Sequence, residues 1–349
     1  MTAPSIASWC GHLRIKPSVR KGHSAHLDFS NLPLKVEITE ENTDKLRYFP
    51  FFFVTLQLII MGLVYTVADK TPTKPFVMSA KKILYITQEI FPYVPESQMA
   101  TAGRELPQAI QEKGYEIRTF MPRWGNINER RNQLHEVIRL SGMNIIIDDT
   151  DHPLIIKVAS IQAARMQVYF IDNDDFFHKR EMRTDNEGNE YEDNAERAIF
   201  YARGVLETVK KLRWVPDVIH CQGWISSIVP LYIKQAFNDS PSFANTKVVY
   251  SSYEDTTTLA PTNNFAECVN LREATPELIA QTGIDFTKPH ALEQLAVHFS
   301  DGFIQEGKVD ALTEHAEKSG IPVLATNGGT PSLEEYEAFY QQVFGEGEQ

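Results

Sequence analysis

The sequence predicts an α/β fold, a Rossmann-like parallel sheet with helices on both faces, and three neighbouring segments carry that expectation. Ile83–Thr87 (ILYIT) is a short unbroken apolar run, the pattern of a strand buried on both sides. Residues 102–113 follow with Leu106, Ala109 and Ile110 at helical spacing, and Gly114 supplies a C-terminal stop. Ile117–Met121 is a second apolar run, closed by Pro122. Strand, amphipathic helix and strand in that order make a βαβ unit, which requires parallel pairing.

The later elements continue the alternation. Asn144–Ile147, Leu154–Ala159 and Gln167–Ile171 read as strands, and the polar, acidic stretch from Asp172 to Asn194 as an exposed loop. Its carboxylates (Asp172, Asp174, Asp175) lack calcium-loop spacing, so solvation accounts for them better than a metal. Asn194–Leu212 is the clearest helix: Ala198, Tyr201, Ala202, Val205, Leu206 and Val209 share one face, and Lys210, Lys211 and Arg213 suit its negative end. Val218–His220 reads as a strand, Ile225–Phe237 as one helix and Lys247–Ser251 as a strand. Helices are expected near 289–299 and 307–319. A last helix, Leu333–Phe344, opens with a capping box of Ser332 and Glu335.

The chain has 349 residues, 42% hydrophobic and 23% charged, an ordinary globular composition. Its net charge of −12 disfavours nucleic acid, which needs a cationic face. Three scattered cysteines (Cys10, Cys221, Cys268) build neither a disulfide framework nor a zinc site, and the body reads as a reduced, cytoplasmic protein. No cofactor is expected.

Charge divides the chain near Met78: residues 1–77 balance to +3 and residues 78–349 to −15. The expected organisation is therefore an N-terminal extension, 1–77, and a domain, 78–349. Residues 48–68 form a run of 21 residues without a charged side chain, long enough for a bilayer span. Two readings stand: a membrane anchor, or a start placed upstream of a working protein that begins at Met78.

In an open parallel sheet, ligands bind beyond the carboxyl ends of the strands. Here those ends are Gln88–Thr101, His220–Trp224 and Ser251–Pro261. The first loop, QEIFPYVPESQMATAG, carries no GxGxxG or P-loop, which argues against an independent dinucleotide or ATP site. His220 and Cys221 are adjacent in a strand and so face opposite ways, which disfavours a joint nucleophilic role. Trp224 fits either a sugar-stacking platform or a core tryptophan.

Four blocks, KKILYITQEIFPY, ELPQAIQEKGYEIRTFMPRWG, VYFIDNDDFF and NAERAIFYARGVLETVKKLRWVPDVIHCQGW, resemble the N-terminal half of bacterial glycogen and starch synthases over about residues 80–320. The resemblance implies the N-terminal domain of a GT-B glycosyltransferase that moves glucose from ADP-glucose to an α-1,4-glucan, with a glucan or nucleotide-sugar as ligand. Three site loops depart from the family pattern. The Lys-x-Gly-Gly loop that meets the donor phosphates falls on Pro95, Ser97 and Gln98. A His-Asp pair beside the reacting sugar falls on Gln222 and Gly223, and a further histidine on Tyr253.

The family's donor-binding C-terminal domain would need about 200 further residues. The resemblance therefore implies a hexosyltransferase-type protein of glucan metabolism that is impaired or dependent on a separate synthase chain. The alternative is a non-catalytic glucan-binding or regulatory module. Candidate catalytic residues are His220, Gln222 and Tyr253. Candidate substrate-binding residues are Glu89, Tyr93, Ser97, Gln98 and Trp224, with no metal ligand.

Overall fold

The computed structural model describes residues 81–254, 260–262, 264–307, 309–325 and 330–345. The N-terminal extension and its apolar segment 48–68 lie outside the described residues. Among the described residues, no helix is long and apolar enough to cross a membrane.

The first βαβ unit is β1 (Lys82–Thr87), α1 (Gln98–Glu112) and β2 (Glu116–Pro122), with β1 and β2 parallel and Ile83 opposite Ile117. Side chains alternate along β1. Leu84 and Ile86 join the larger core, and Ile83 and Tyr85 join a second cluster on the other face. The large core lies beneath α2 (Asn194–Leu212), α3 (Val229–Lys234) and α6 (Ala291–His298). The second cluster lies beneath α1 and α8 (Leu333–Phe344), through Leu106, Ile110, Tyr336, Phe339, Tyr340 and Val343. Helices therefore cover both faces of the sheet, as its apolar strands require.

The remaining strands are β3 (His135–Glu136), β4 (Met143–Ile147), β5 (Thr150–Ile161), β6 (Met166–Asp172), β7 (Val218–Gln222), β8 (Lys247–Ser252), β9 (Gly302–Gln305) and β10 (Val323–Ala325). The sheet runs β10-β9-β8-β7-β1-β2-β6-β5-β3, with β4 also paired to β5. Every pairing from β10 through β6 is parallel. The expectation of a parallel sheet fails at the other edge, where β3, β4 and β6 each pair antiparallel with β5. Connection length explains the difference. Asp148 and Asp149 alone join β4 to β5, both at positive φ (46° and 60°), and a parallel crossover needs a dozen residues or more.

Other expectations also need correction. Ile225–Phe237 is a 3-10 turn at Trp224–Ser226 followed by α3, because Pro230 lacks an N–H and fits only the first turn of a helix. Residues 172–194 are not a simple solvated loop. Asp172, Phe176 and Phe177 are buried, and Lys157 Nζ lies 2.8 Å from Asp172 Oδ2. Arg197 draws the loop inward, donating to the carbonyls of Phe176, Glu181 and Met182. Burial and the nearby Arg180 lower its pKa to about 9. The short helices α4 (Phe265–Val269) and α5 (Pro276–Gln281), and the strands β9 and β10, carried no clear sequence signal. The helix expected near 307–319 is α7 (Asp310–Ser319).

Candidate functional site

The carboxyl ends of β1, β7, β8 and β9 meet at one edge because the backbone ladder continues past the strands. Gln88 N donates to Gln222 O, Gly223 N to Ser251 O, and the N–H groups of Glu306 and Gly307 both to Ser252 O. Four polar strand ends are thereby held side by side.

Glu89, just past β1, is 4% exposed. Its carboxylate accepts from Ser97 Oγ at 2.5 Å and from Gln88 Nε2 at 2.9 Å. Ser97 is also the N-cap of α1, and its Oγ accepts from Ala100 N at 2.9 Å. Gln98 turns the other way, its amide reaching the carbonyl of Glu306 and the hydroxyl of Thr330, both at 3.3 Å. The two positions where the resemblance has permissive glycines thus carry side chains engaged within the chain. Gly103, inside α1, permits this packing: a Cβ there would stand 2.2 Å from Glu89 O.

Gln222 Nε2 donates to Tyr253 OH at 3.4 Å, while its Oε1 is buried without a partner. Gly223 has φ 81° and ψ 165°, a region nearly closed to other residues. A Cβ on it would come within 2.8 Å of Gln88 Oε1 and 3.0 Å of Met99 Sδ. Glu306, 4% exposed, is the acidic residue that sequence reasoning missed, because the four-residue β9 lies between two helices without a strand signal. Burial raises its pKa, and the hydroxyls of Tyr336, Tyr253 and Ser251 beside it pull the other way. Burial, with Glu306 nearby, raises the Tyr253 phenol well above its usual range.

The structure therefore brings together Glu89, Ser97, Gln98, Gln222 and Tyr253, and separates three other candidates. His220 points to the α8 face, its Nε2 2.6 Å from Ser251 Oγ and its Nδ1 2.7 Å from Tyr340 OH. Both ring nitrogens are engaged, and complete burial pushes its pKa down to about 3, so the imidazole is neutral. Tyr93 packs edge-on against Phe170 at 4.9 Å, its phenol pushed up to about 12 by burial. Trp224 is fully buried near Trp124, whose Nε1 donates to Gln88 O, so neither indole presents an open face to a sugar.

Among the described residues, no group of three or more His, Cys, Asp or Glu side chains suits a metal ion. A groove of about 500 Å³ runs beside the edge, between α1 and the segment entering α8, and includes Ser97, Gln98, Thr101, Thr330 and Tyr336 in its lining. Chemically, the edge offers carboxyl, amide and hydroxyl groups, and none of its residues named above is cationic.

Comparison with known proteins gives this geometry a context. A glycogen synthase of Chlorobium luteolum is 38% identical over 169 residues, covering 48% of this chain and 35% of the relative. One from Chlorobium limicola is 37% identical over a stretch of the same length. The matched part is thus about a third of these relatives' length. A solved structure, the catalytic domain of starch synthase IV from Arabidopsis thaliana bound to ADP and acarbose, superposes with a TM-score of 0.57. It is 14% identical, covering 71% of this chain and 52% of that one, and supports the fold alone. Residues 82–304 match the family described as the starch synthase catalytic domain, and the chain belongs to that family.

Proposed function

We propose that the chain is a glycogen/starch-synthase-like protein of glucan metabolism that does not transfer glucose on its own. The family reaction carries glucose from ADP-glucose to an α-1,4-glucan, and this chain holds the side of the cleft met by the acceptor. The carrying observation is the composition of the carboxyl edge. Its scaffold follows the family, yet Pro95, Ser97 and Gln98 stand in the phosphate loop and Gln222, Gly223 and Tyr253 replace the two histidines and the aspartate. Transfer requires a positioned donor and electrostatic stabilisation of the developing charge. Those functions would come from a separate synthase chain, in the cytoplasm.

A second reading, a non-catalytic glucan-binding or regulatory module, is favoured by the integrity of the edge. Its substituted residues are hydrogen-bonded within the edge, Ser97 to Glu89, Gln98 to the Glu306 carbonyl and Gln222 to Tyr253. Affinity electrophoresis of the full chain through gels containing glycogen tests glucan binding common to both readings. Retardation that maltoheptaose competes away is the expected result; unchanged mobility contradicts both.

A further inference from the structure

Glu306, an acid that the proposed function does not use, is buried between the sheet and α8. It follows β9 directly and is 4% exposed. Its N–H and that of Gly307 both donate to Ser252 O at 3.1 Å, and its carbonyl accepts from Gln98 Nε2 at 3.3 Å. The backbone is thus pinned on two sides, which keeps the side chain beside Tyr336 of α8.

Nothing that surrounds the carboxyl group neutralises a charge on it. Hydroxyls lie beside it, that of Tyr336 from α8 and those of Tyr253 and Ser251 from the end of β8. Tyr340 faces it from one turn further along α8. Beyond Ser251 stands His220, whose imidazole is neutral, and beyond Tyr253 stands a second acid, Glu89. Among the described residues no lysine or arginine pairs with Glu306. Neither of its carboxyl oxygens, nor the Tyr336 hydroxyl, has a hydrogen-bond partner of good geometry. A buried carboxylate without a cation or fixed donors is costly enough that the group takes up a proton instead.

We propose that Glu306 is a proton-operated latch for α8: the protonated acid lets the helix lie closed on the sheet, and its ionisation drives the Tyr336 turn outward so that water reaches the carboxylate. Tyr336, Leu333, Pro331 and Thr330 also line the groove of about 500 Å³ against α1, so the latch sets the shape of that groove. The latch does not depend on the glucan reading. Burial raises the Glu306 pKa above the ordinary 4.5, so its contribution to stability is full at acid pH and is lost as pH rises through the folded value. His220 acts in the opposite sense, losing its contribution as pH falls. Burial, and then Glu306 itself, holds the phenols of Tyr253 and Tyr336 above their usual range, and burial does the same for Tyr340, so none of the three imitates the effect.

Amide exchange in the full chain, corrected for its intrinsic pH dependence and compared between about pH 6 and about pH 9, tests the latch. In the native protein, protection across Leu333–Phe344 relative to Lys82–Thr87 should fall at least roughly tenfold over that range. Glu306→Gln, neutral and of the same shape, should keep that ratio constant. Infrared spectra of the native chain in heavy water give a readout that does not rely on the variant. The carbonyl band of a protonated, buried carboxyl group should be present at the acid end and vanish as α8 loosens. A constant ratio in the native chain would overturn the proposal, as would an equal fall in native and variant proteins. So would a band that is absent at the acid end or persists unchanged after α8 has loosened.

Discussion

At the scale of single residues, Gly223 and His220 show how the altered positions are built into the fold. The resemblance places an aspartate where Gly223 stands, yet a side chain there must adopt φ 81° and ψ 165° and displace Gln88 and Met99. Gly223→Ala should therefore lower stability by about 1–3 kcal/mol, from backbone strain alone. Urea denaturation checks this, and an unchanged midpoint would contradict the packing described. His220 carries a pH dependence with a definite sign. Its folded pKa, about 3, lies below the ordinary 6.5, so the unfolded chain binds the proton more readily. The stability this provides is complete above pH 6.5 and is lost progressively as pH falls towards 3. Between pH 7 and pH 5 the native protein should lose about 2 kcal/mol more than His220→Asn, measured by denaturation at each pH. Equal losses would place the imidazole in contact with solvent.

At the scale of elements, α8 is capped at its start and tied to the sheet near its end. Its capping box is complete: Ser332 Oγ accepts from Glu335 N, and Glu335 Oε2 accepts from Ser332 N. One turn from its end, Tyr340 OH meets His220 Nδ1 at 2.7 Å and Tyr85 OH at 3.3 Å. Ser332→Ala should cost about 1 kcal/mol through the lost cap. Tyr340→Phe should cost about 1–3 kcal/mol, because it leaves a buried imidazole nitrogen unpaired. Amide exchange across Leu333–Phe344 would report both, and unchanged protection in both variants would mean that α8 is held by apolar contact alone. The capping box was legible in the sequence because it is a local signal. So were β1, α1, β2 and α2, whose periods survive in one segment. The antiparallel hairpin β4–β5 was not recognised, although the Asp148–Asp149 turn is too short for a crossover, because an apolar run alone does not reveal strand direction.

At the scale of the whole molecule, the fold class was legible because a sheet covered by helices on both sides must be written in apolar strands alternating with amphipathic helices. The site was only partly legible. Glu89, Ser97, Gln98, Gln222 and Tyr253 could be placed at strand ends by topology, and they do meet at one edge. The inward turn of His220 and the burial of Trp224 depend on tertiary packing against α8 and Trp124, which no local pattern encodes. Glu306 was missed for the same reason, since β9 becomes a strand only beside β8 and β10. On the proposed reading, the family scaffold is kept while Pro95, Ser97, Gln98, Gln222, Gly223 and Tyr253 stand at its site positions. The most direct test is incorporation of labelled glucose from ADP-glucose into glycogen by the purified full chain, with a complete glycogen synthase as positive control. Incorporation at background alongside a folded protein is the expected result; turnover above background by this chain alone would contradict the proposed function.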